Sequence, residues 1–287
     1  MAATEGERSR TQAGPELTLA YGDEHPDQIA DVTLPSTAGG PVPLVLFLHG
    51  GFWRARYDRS HARPVVDALA AHGYAVASLE YRRVGAGGGW PATFSDVALA
   101  ADVLPAMIEQ AFPGRVDRAR MVYAGHSAGG HLALWAAARD RLPPGAPGSL
   151  ARPPRVAGVV GLGAITDLAL SWRLGNGEGA VAELLGGGPE EFPGRYAAAD
   201  PSTFGAPEAP VVLVHGDQDQ RVPVVMGRGY RDTAGAELIE LPGTGHFELI
   251  DPDSAAWPAV LDALGRVAPV DGRPDPGRSA SAEGPTA

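Results

Sequence analysis

Short, nearly unbroken apolar runs alternate along this chain with stretches in which apolar residues recur every third or fourth position. The first pattern predicts strands covered on both faces of a sheet, at residues 43–48, 74–79, 120–124, 155–162, 210–215 and 237–241. The second predicts helices at 63–71, at 94–112 with an interruption at Pro105, at 222–234 and at 255–267. Near the start, 17–21 and 29–35 read as an antiparallel opening pair. This exchange of strand and helix predicts an α/β fold with a mostly parallel central sheet and helices on both faces. There is no internal repeat.

The pattern fades in four places. Residues 1–14 are polar and 269–287 are rich in Pro, Gly, Ser, Ala and charge, so both read as disordered, leaving one domain at 15–268. Residues 139–154 form a Pro-rich loop. Residues 167–207 are broken by Gly175-Asn176-Gly177, Gly186-Gly187-Gly188 and Pro193 and are long for a plain connection. They read as a small cap insertion over the functional end of the sheet, a surface excursion being the plainer alternative.

Composition narrows the chemistry. At 287 residues with 44% apolar and 20% charged positions, the chain can bury a sizeable core. A net charge of −11 argues against nucleic acid as a partner, because binding there requires neutralising phosphates. With no cysteine, disulfides, thiolate metal sites and a cysteine nucleophile are excluded. All the basic residues are arginine, so Schiff-base and Ser–Lys chemistry are excluded as well. No apolar run approaches the ~20 residues of a membrane span, and residues 1–14 lack the apolar core of a signal peptide. A cytoplasmic protein without membrane attachment, metal or cofactor is expected. The oligomeric state stays open, a homodimer included.

The strongest chemical signal is Gly125-His126-Ser127-Ala128-Gly129-Gly130, between an apolar run ending at Ala124 and a helix-like run from His131. Strand, sharp turn and helix with serine at the apex is the nucleophile-elbow arrangement. Gly125 and Gly129 let the two backbones approach, Ser127 is lifted clear of the sheet, and the Ala128 N–H points where an oxyanion would form. An ordinary strand-to-helix turn is the plainer reading of this stretch alone.

A serine nucleophile needs a base, and the base needs an acid to hold its tautomer. Two histidines follow the elbow helix. His246, in a Gly-rich loop past the last strand, is the expected base, whereas His215 ends a strand and is expected to pack or hydrogen-bond there. For the acid, Asp219 lies further out on the 216–221 loop and is preferred over Asp217, which is expected to cap its own turn. His49-Gly50-Gly51-Phe52-Trp53 follows the first central strand, and its Gly51 and Phe52 N–H groups are expected to complete the oxyanion hole with Ala128.

Together these residues resemble the α/β-hydrolase fold of the esterase/lipase superfamily over about residues 17–267, in the order oxyanion turn, elbow, acid loop, histidine. Glu80-Tyr81-Arg82 resembles the Asp-Tyr-Arg segment of hormone-sensitive-lipase-like esterases. The His-Gly-Gly-aromatic-Trp turn is most similar to the kynurenine formamidase-like branch, which implies hydrolysis of N-formylkynurenine or small aryl esters. Phe52 in place of a third glycine departs from the hormone-sensitive-lipase pattern.

The expected function is therefore a serine hydrolase cleaving a small ester or amide through an acyl-enzyme, a carboxylesterase or an arylformamidase. The alternatives are a non-catalytic ligand-binding module on the same fold and a small peptidase. Trp53, Trp90 and His126 are the candidate pocket residues. Arg54, Arg56, Arg59 and Arg63 read as a solvated loop and helix start rather than as a trap for an acidic group.

Overall fold

The computed structural model describes residues 15–36 and 40–271. The expected disordered lead at 1–14 and most of the expected tail lie outside them. Eight strands form one sheet: β1 (Leu17–Ala20), β2 (Ile29–Thr33), β3 (Val42–Leu48), β4 (Ala75–Leu79), β5 (Val116–His126), β6 (Gly158–Leu162), β7 (Val211–Gly216) and β8 (Glu237–Leu241). Their spatial order is β1-β2-β4-β3-β5-β6-β7-β8. The β1–β2 and β2–β4 pairs are antiparallel and every later pair is parallel. The sheet is an α/β-hydrolase fold.

Every residue of β3, β4, β6 and β7 is buried, which is why these strands read as apolar runs without alternation. Alternation reappears in which core each side chain joins. Leu44, Leu46 and Leu48 join one cluster with α2 (Ala92–Ala111), α3 (Ala128–Ala137) and α7 (Val225–Ala234). Val45 and Phe47 join the other with α1 (Arg63–Ala71) and α8 (Trp257–Val267). Parallel strands place all their C-terminal ends on one rim, and the loops at that rim build the site.

Three expectations on local structure need correction. Helix α2 runs through Pro105 without a break. A proline inside a helix costs about 3 kcal/mol, but Phe94, Val97, Ala101, Leu104 and Ile108 all bury on the same face and hold the helix together. Helix α7 starts at Val225 rather than Val222, because the Val222 N–H is taken by the Asp219 carboxylate at 2.8 Å and its carbonyl by His215 Nε2 at 2.8 Å. The expected tail does not begin at Pro269: the Pro269 carbonyl accepts from Arg120 at 3.0 Å, and Val270 packs on the α1–α8 core.

Residues 167–207 form α4 (Leu168–Arg173), α5 (Ala180–Leu185) and α6 (Pro193–Ala199). None of them is in the wall of the cavity at Ser127, although Gly177 packs on Phe52, which is. The segment stands beside the 49–54 turn. Gly177 lies close against the Phe52 ring, Glu183 pairs with Arg54 at 2.6 Å, and the Leu184 carbonyl accepts from the Trp90 N–H at 2.7 Å. Among the described residues no helix is long and apolar enough to cross a membrane.

Candidate active site

Ser127 sits between β5 and α3 at φ +56°, ψ −119°, a left-handed conformation that a serine adopts only under constraint. The constraint is visible. The Ser127 N–H is held by the Leu162 carbonyl of β6 at 2.8 Å. A Cβ at Gly125 would stand 2.3 Å from the Gly129 carbonyl oxygen, and one at Gly129 would stand 2.0 Å from the Leu48 carbonyl oxygen. Only glycine allows the strand, the elbow helix and the neighbouring strand to meet this closely. Gly130 is equally confined, its Cβ position lying 2.6 Å from the Ala164 methyl group.

Across from the elbow, β3 runs into the 49–53 turn. Gly51, Phe52 and Trp53 all have positive φ, at 111°, 52° and 57°. Two consecutive non-glycine residues in this region need support from elsewhere. His49 Nδ1 meets the Gly50 carbonyl at 2.7 Å and its Nε2 meets Glu80 Oε1 at 2.9 Å. The Tyr81 ring stacks on His49 at 4.6 Å, and its hydroxyl donates to the His49 carbonyl at 2.8 Å. Glu80, 1% exposed, also accepts from the Arg59 and Tyr81 N–H groups at 2.9 and 3.1 Å. Its carboxyl is costly to bury, yet the bonds from His49 hold it below the usual carboxylate range. Sequence reasoning gave Glu80 no role at the site. The signal was present in Glu80-Tyr81-Arg82, at the C-terminal end of β4 next to β3.

The turn and the elbow are in contact: a Cβ on Gly50 would lie 3.1 Å from Ser127 Cβ. Ala128 is the first residue of α3, so its N–H has no partner inside the helix. Gly51, Phe52 and Ser127 face one cavity of about 290 Å³.

The loops that carry Asp219 and His246, the expected acid and base, leave β7 and β8. Asp219 is 5% exposed, and its Oδ2 lies 2.6 Å from His246 Nδ1. Its Oδ1 accepts from the Arg221 and Val222 N–H groups, each at 2.8 Å. Burial pushes this carboxyl up, but His246 and the two amides outweigh it, and it stays ionised below the ordinary aspartate range. Asp217 has a different task from the one expected. Its Oδ1 accepts from Gly243 N–H at 2.7 Å and ties the acid loop to the histidine loop. The Gln218 N–H reinforces the tie through the Thr244 carbonyl at 3.0 Å. Gly163 lies beneath the pair, where a Cβ would come within 3.1 Å of His246 Nδ1 and 3.2 Å of Asp219 Oδ2.

His246 lines the cavity together with Ser127. Among the described residues the Ser127 hydroxyl has no hydrogen bond, and catalytic contacts of this kind often close only around substrate. His126 borders the cavity as well, and its Nε2 meets the His246 carbonyl at 3.0 Å, bridging elbow and histidine loop. Burial first, then the neighbouring His246, pushes the His126 imidazole well below its usual range.

Trp53 and Trp90 are not on the cavity wall. Trp53 is fully buried and packs edge-on against His131 at 5.2 Å, anchoring the oxyanion turn from behind. Trp90 packs on Phe94 at 5.1 Å. Trp53 is itself at positive φ, and Trp90 follows Gly89 at φ 100°. His131 Nε2 meets the Ala199 carbonyl at 2.9 Å, and His215 Nε2 lies 3.6 Å from Asp219 Oδ2. Among the described residues no group of three or more His, Cys, Asp or Glu is placed to hold a metal ion.

A family model described as BD-FAE matches residues 30–230. Esterase LipC of Mycobacterium tuberculosis is 30% identical over 254 residues, covering 81% of this chain and 60% of LipC. The probable carboxylic ester hydrolase LipM of the same organism is 28% identical, covering 77% of this chain and 53% of LipM. The chain thus spans between about half and three fifths of the length of these curated relatives. A truncated carbohydrate esterase from gut microbiota superposes with a TM-score of 0.72 at 22% identity, over 88% of this chain and 99% of that one. A thermophilic esterase from Thermogutta terrifontis gives 0.66 at 20% identity, over 92% and 96%. At such identities the structural likeness speaks to the fold.

Proposed function

The chain belongs to the BD-FAE family, and from that premise we propose that it is a metal-free serine carboxylesterase acting on small esters. The observation that carries the reading is the meeting of four distant segments at one cavity: the 49–53 turn, the elbow at Ser127, and the Asp219–His246 pair.

Ser127 Oγ attacks the ester carbonyl carbon while His246 Nε2 takes the hydroxyl proton. The electron pair of the carbonyl moves onto its oxygen, which the N–H groups of Gly51, Phe52 and Ala128 stabilise, each donor contributing on the order of 3 kcal/mol. Collapse of the tetrahedral intermediate expels the alcohol, which leaves with the proton from His246. Water, deprotonated by His246, then attacks the acyl-Ser127 and releases the acid. Asp219, anchored by two backbone amides, holds Nδ1–H and stabilises the imidazolium formed in each half.

Esters are preferred over formamides as substrates because the relatives above are named as esterases. The test compares p-nitrophenyl esters of acetate to octanoate with N-formylkynurenine, using wild type and Ser127→Ala, beside covalent labelling by a fluorophosphonate. Expected are turnover of short esters, labelling of wild type alone, and loss of turnover in Ser127→Ala. A much larger kcat/KM for N-formylkynurenine would move the reading to arylformamidase. Absence of both labelling and turnover would leave a non-catalytic binding module.

A further inference from the structure

Two arginines, Arg56 and Arg221, line the cavity that holds Ser127. In the 54–63 cluster, Arg54 pairs with Glu183, Arg59 with Asp31 and Arg63 with Asp67, at 2.6, 2.7 and 2.7 Å. These three are structural cations. Arg56 has no carboxylate partner among the described residues. Its guanidinium lies 4.9 Å over the Tyr57 ring and borders the cavity that holds Ser127. Arg221 borders the same cavity, two residues beyond Asp219, and also lacks an ion pair among the described residues. Its backbone is fixed by its N–H bond to Asp219 Oδ1 at 2.8 Å.

No aspartate or glutamate lines this cavity, although the chain carries 34 acidic against 23 basic residues. His61 and His126, on the same wall, are both pushed below the usual imidazole range, mainly by burial, and stay neutral at pH 7. The ionised Asp219 lies behind His246 and is engaged by it and by two backbone amides, so the charged groups on the wall itself are the two guanidinium groups. Phe52, Tyr57, Phe247 and Ile250 supply apolar wall between them. A cavity of about 290 Å³ is at the small end for a ligand site, so a substrate group bound there cannot avoid this field.

We propose that the site selects anionic esters, small esters bearing a carboxylate on the acyl or alcohol part, which Arg56 and Arg221 bind by charge-assisted hydrogen bonds while the ester carbonyl lies at Ser127. The proposal rests on the esterase reading above. Arginine suits the task because its planar fork meets a carboxylate with two parallel donors and keeps its charge across the working pH range. The cations act on binding rather than on bond-making, so KM carries the preference.

The experiment uses matched pairs followed by pH-stat titration. Monoethyl succinate, glutarate and adipate are compared with ethyl butyrate, pentanoate and hexanoate, and acetoxyacetate with ethyl acetate. Expected is a preference of about tenfold or more in kcat/KM for the anionic member of at least one series, as one well-made charge-assisted contact supplies. The ratio should fall towards one in Arg56→Gln/Arg221→Gln, and shrink when salt is raised from about 0.05 to 0.5 M. Neutral esters preferred in every pair, or a double variant that keeps the ratio, would overturn the proposal. Calorimetric titration of Ser127→Ala with the same esters separates the two readings. Tighter binding of the anionic members sustains the anion subsite even if wild type turns over no ester, whereas equal binding overturns it even if wild type is an active esterase.

Discussion

Replacing Gly129 by alanine tests how closely the proposed oxyanion hole depends on backbone packing. The new Cβ would stand 2.0 Å from the Leu48 carbonyl oxygen and 2.5 Å from that of His49, where ordinary contact begins at 3.4 Å. The shortfall is 3.4 − 2.0 = 1.4 Å, and both obstacles are backbone atoms with no rotamer to yield. Relief must come from moving the start of α3 away from the end of β3. The proposed donors are Ala128, at the start of α3, and Gly51–Phe52, in the turn that follows β3. A misplacement of about 1 Å costs on the order of 10²-fold in rate, and the overpacking itself about 1–3 kcal/mol of stability. The expected outcome is a kcat lower by about 10²-fold or more, with KM little changed, since the lost interaction belongs to the transition state. The assay is p-nitrophenyl butyrate hydrolysis well below Tm, with Tm followed by circular dichroism. A Gly129→Ala protein with kcat within about fivefold of wild type would refute the reasoning, because so small a loss is far from the 10² worked above.

The other predictions follow from single contacts. In Asp219→Asn the amide presents N–H₂ to His246 Nδ1, which forces the wrong tautomer, and kcat should fall by about 10⁴-fold; a loss under tenfold in steady-state kinetics would contradict the assigned acid. The Asp219 carboxyl is held below its ordinary range in the fold, so its stabilisation is complete above the unfolded-state value and is lost as pH falls through the folded one. Tm should therefore drop less steeply below about pH 4 in Asp219→Asn than in wild type, and parallel curves would count against this linkage. Arg139 is 2% exposed and forks onto Asp102 at 2.8 and 2.9 Å. Arg139→Met should cost about 3 kcal/mol in urea unfolding, the low end for a broken buried pair, because the Asp102 side chain is 33% exposed; a cost below about 1 kcal/mol would place the pair with ordinary surface bridges. Gly265, inside α8, has nothing within 4 Å of its Cβ position and no positive φ. Gly265→Ala should raise stability by about 0.5–1 kcal/mol, and a lowered Tm would contradict that.

What could be read from the sequence divides by the range of the physics involved. The strands of the parallel sheet were legible because burial on both faces leaves unbroken apolar runs, as in β3 and β4. The elbow was legible because backbone approach leaves glycines at fixed offsets from Ser127. Asp219 could be preferred to Asp217 from loop position alone, and the structure brings Asp219, not Asp217, to His246. Illegible were features set by packing between distant segments. Glu80 reaches His49 across 31 residues, a contact no local pattern encodes. Trp53 is buried against His131, 78 residues away in the chain, so adjacency to the 49–52 turn did not make it a wall. The proline in α2 broke a local rule that tertiary burial overrides. The 54–63 arginines look alike in sequence, and only their partners separate Arg56 from the rest.

The position of β8 also bears on refolding. It is the last strand in the sheet order, paired only to β7, and the loop after it delivers His246 to a nucleophile loop 120 residues earlier in the chain. Closing a loop of this length carries an entropic cost that grows with the number of residues enclosed. On the proposed mechanism, a chain in which β8 is not yet docked has Ser127 and the 49–53 turn in place but not His246. Recovery of activity would register the docking of one edge strand, while circular dichroism would register the rest of the sheet. On that reading, activity that lags circular dichroism would mark β8 docking as a late step, and coincident time courses would not.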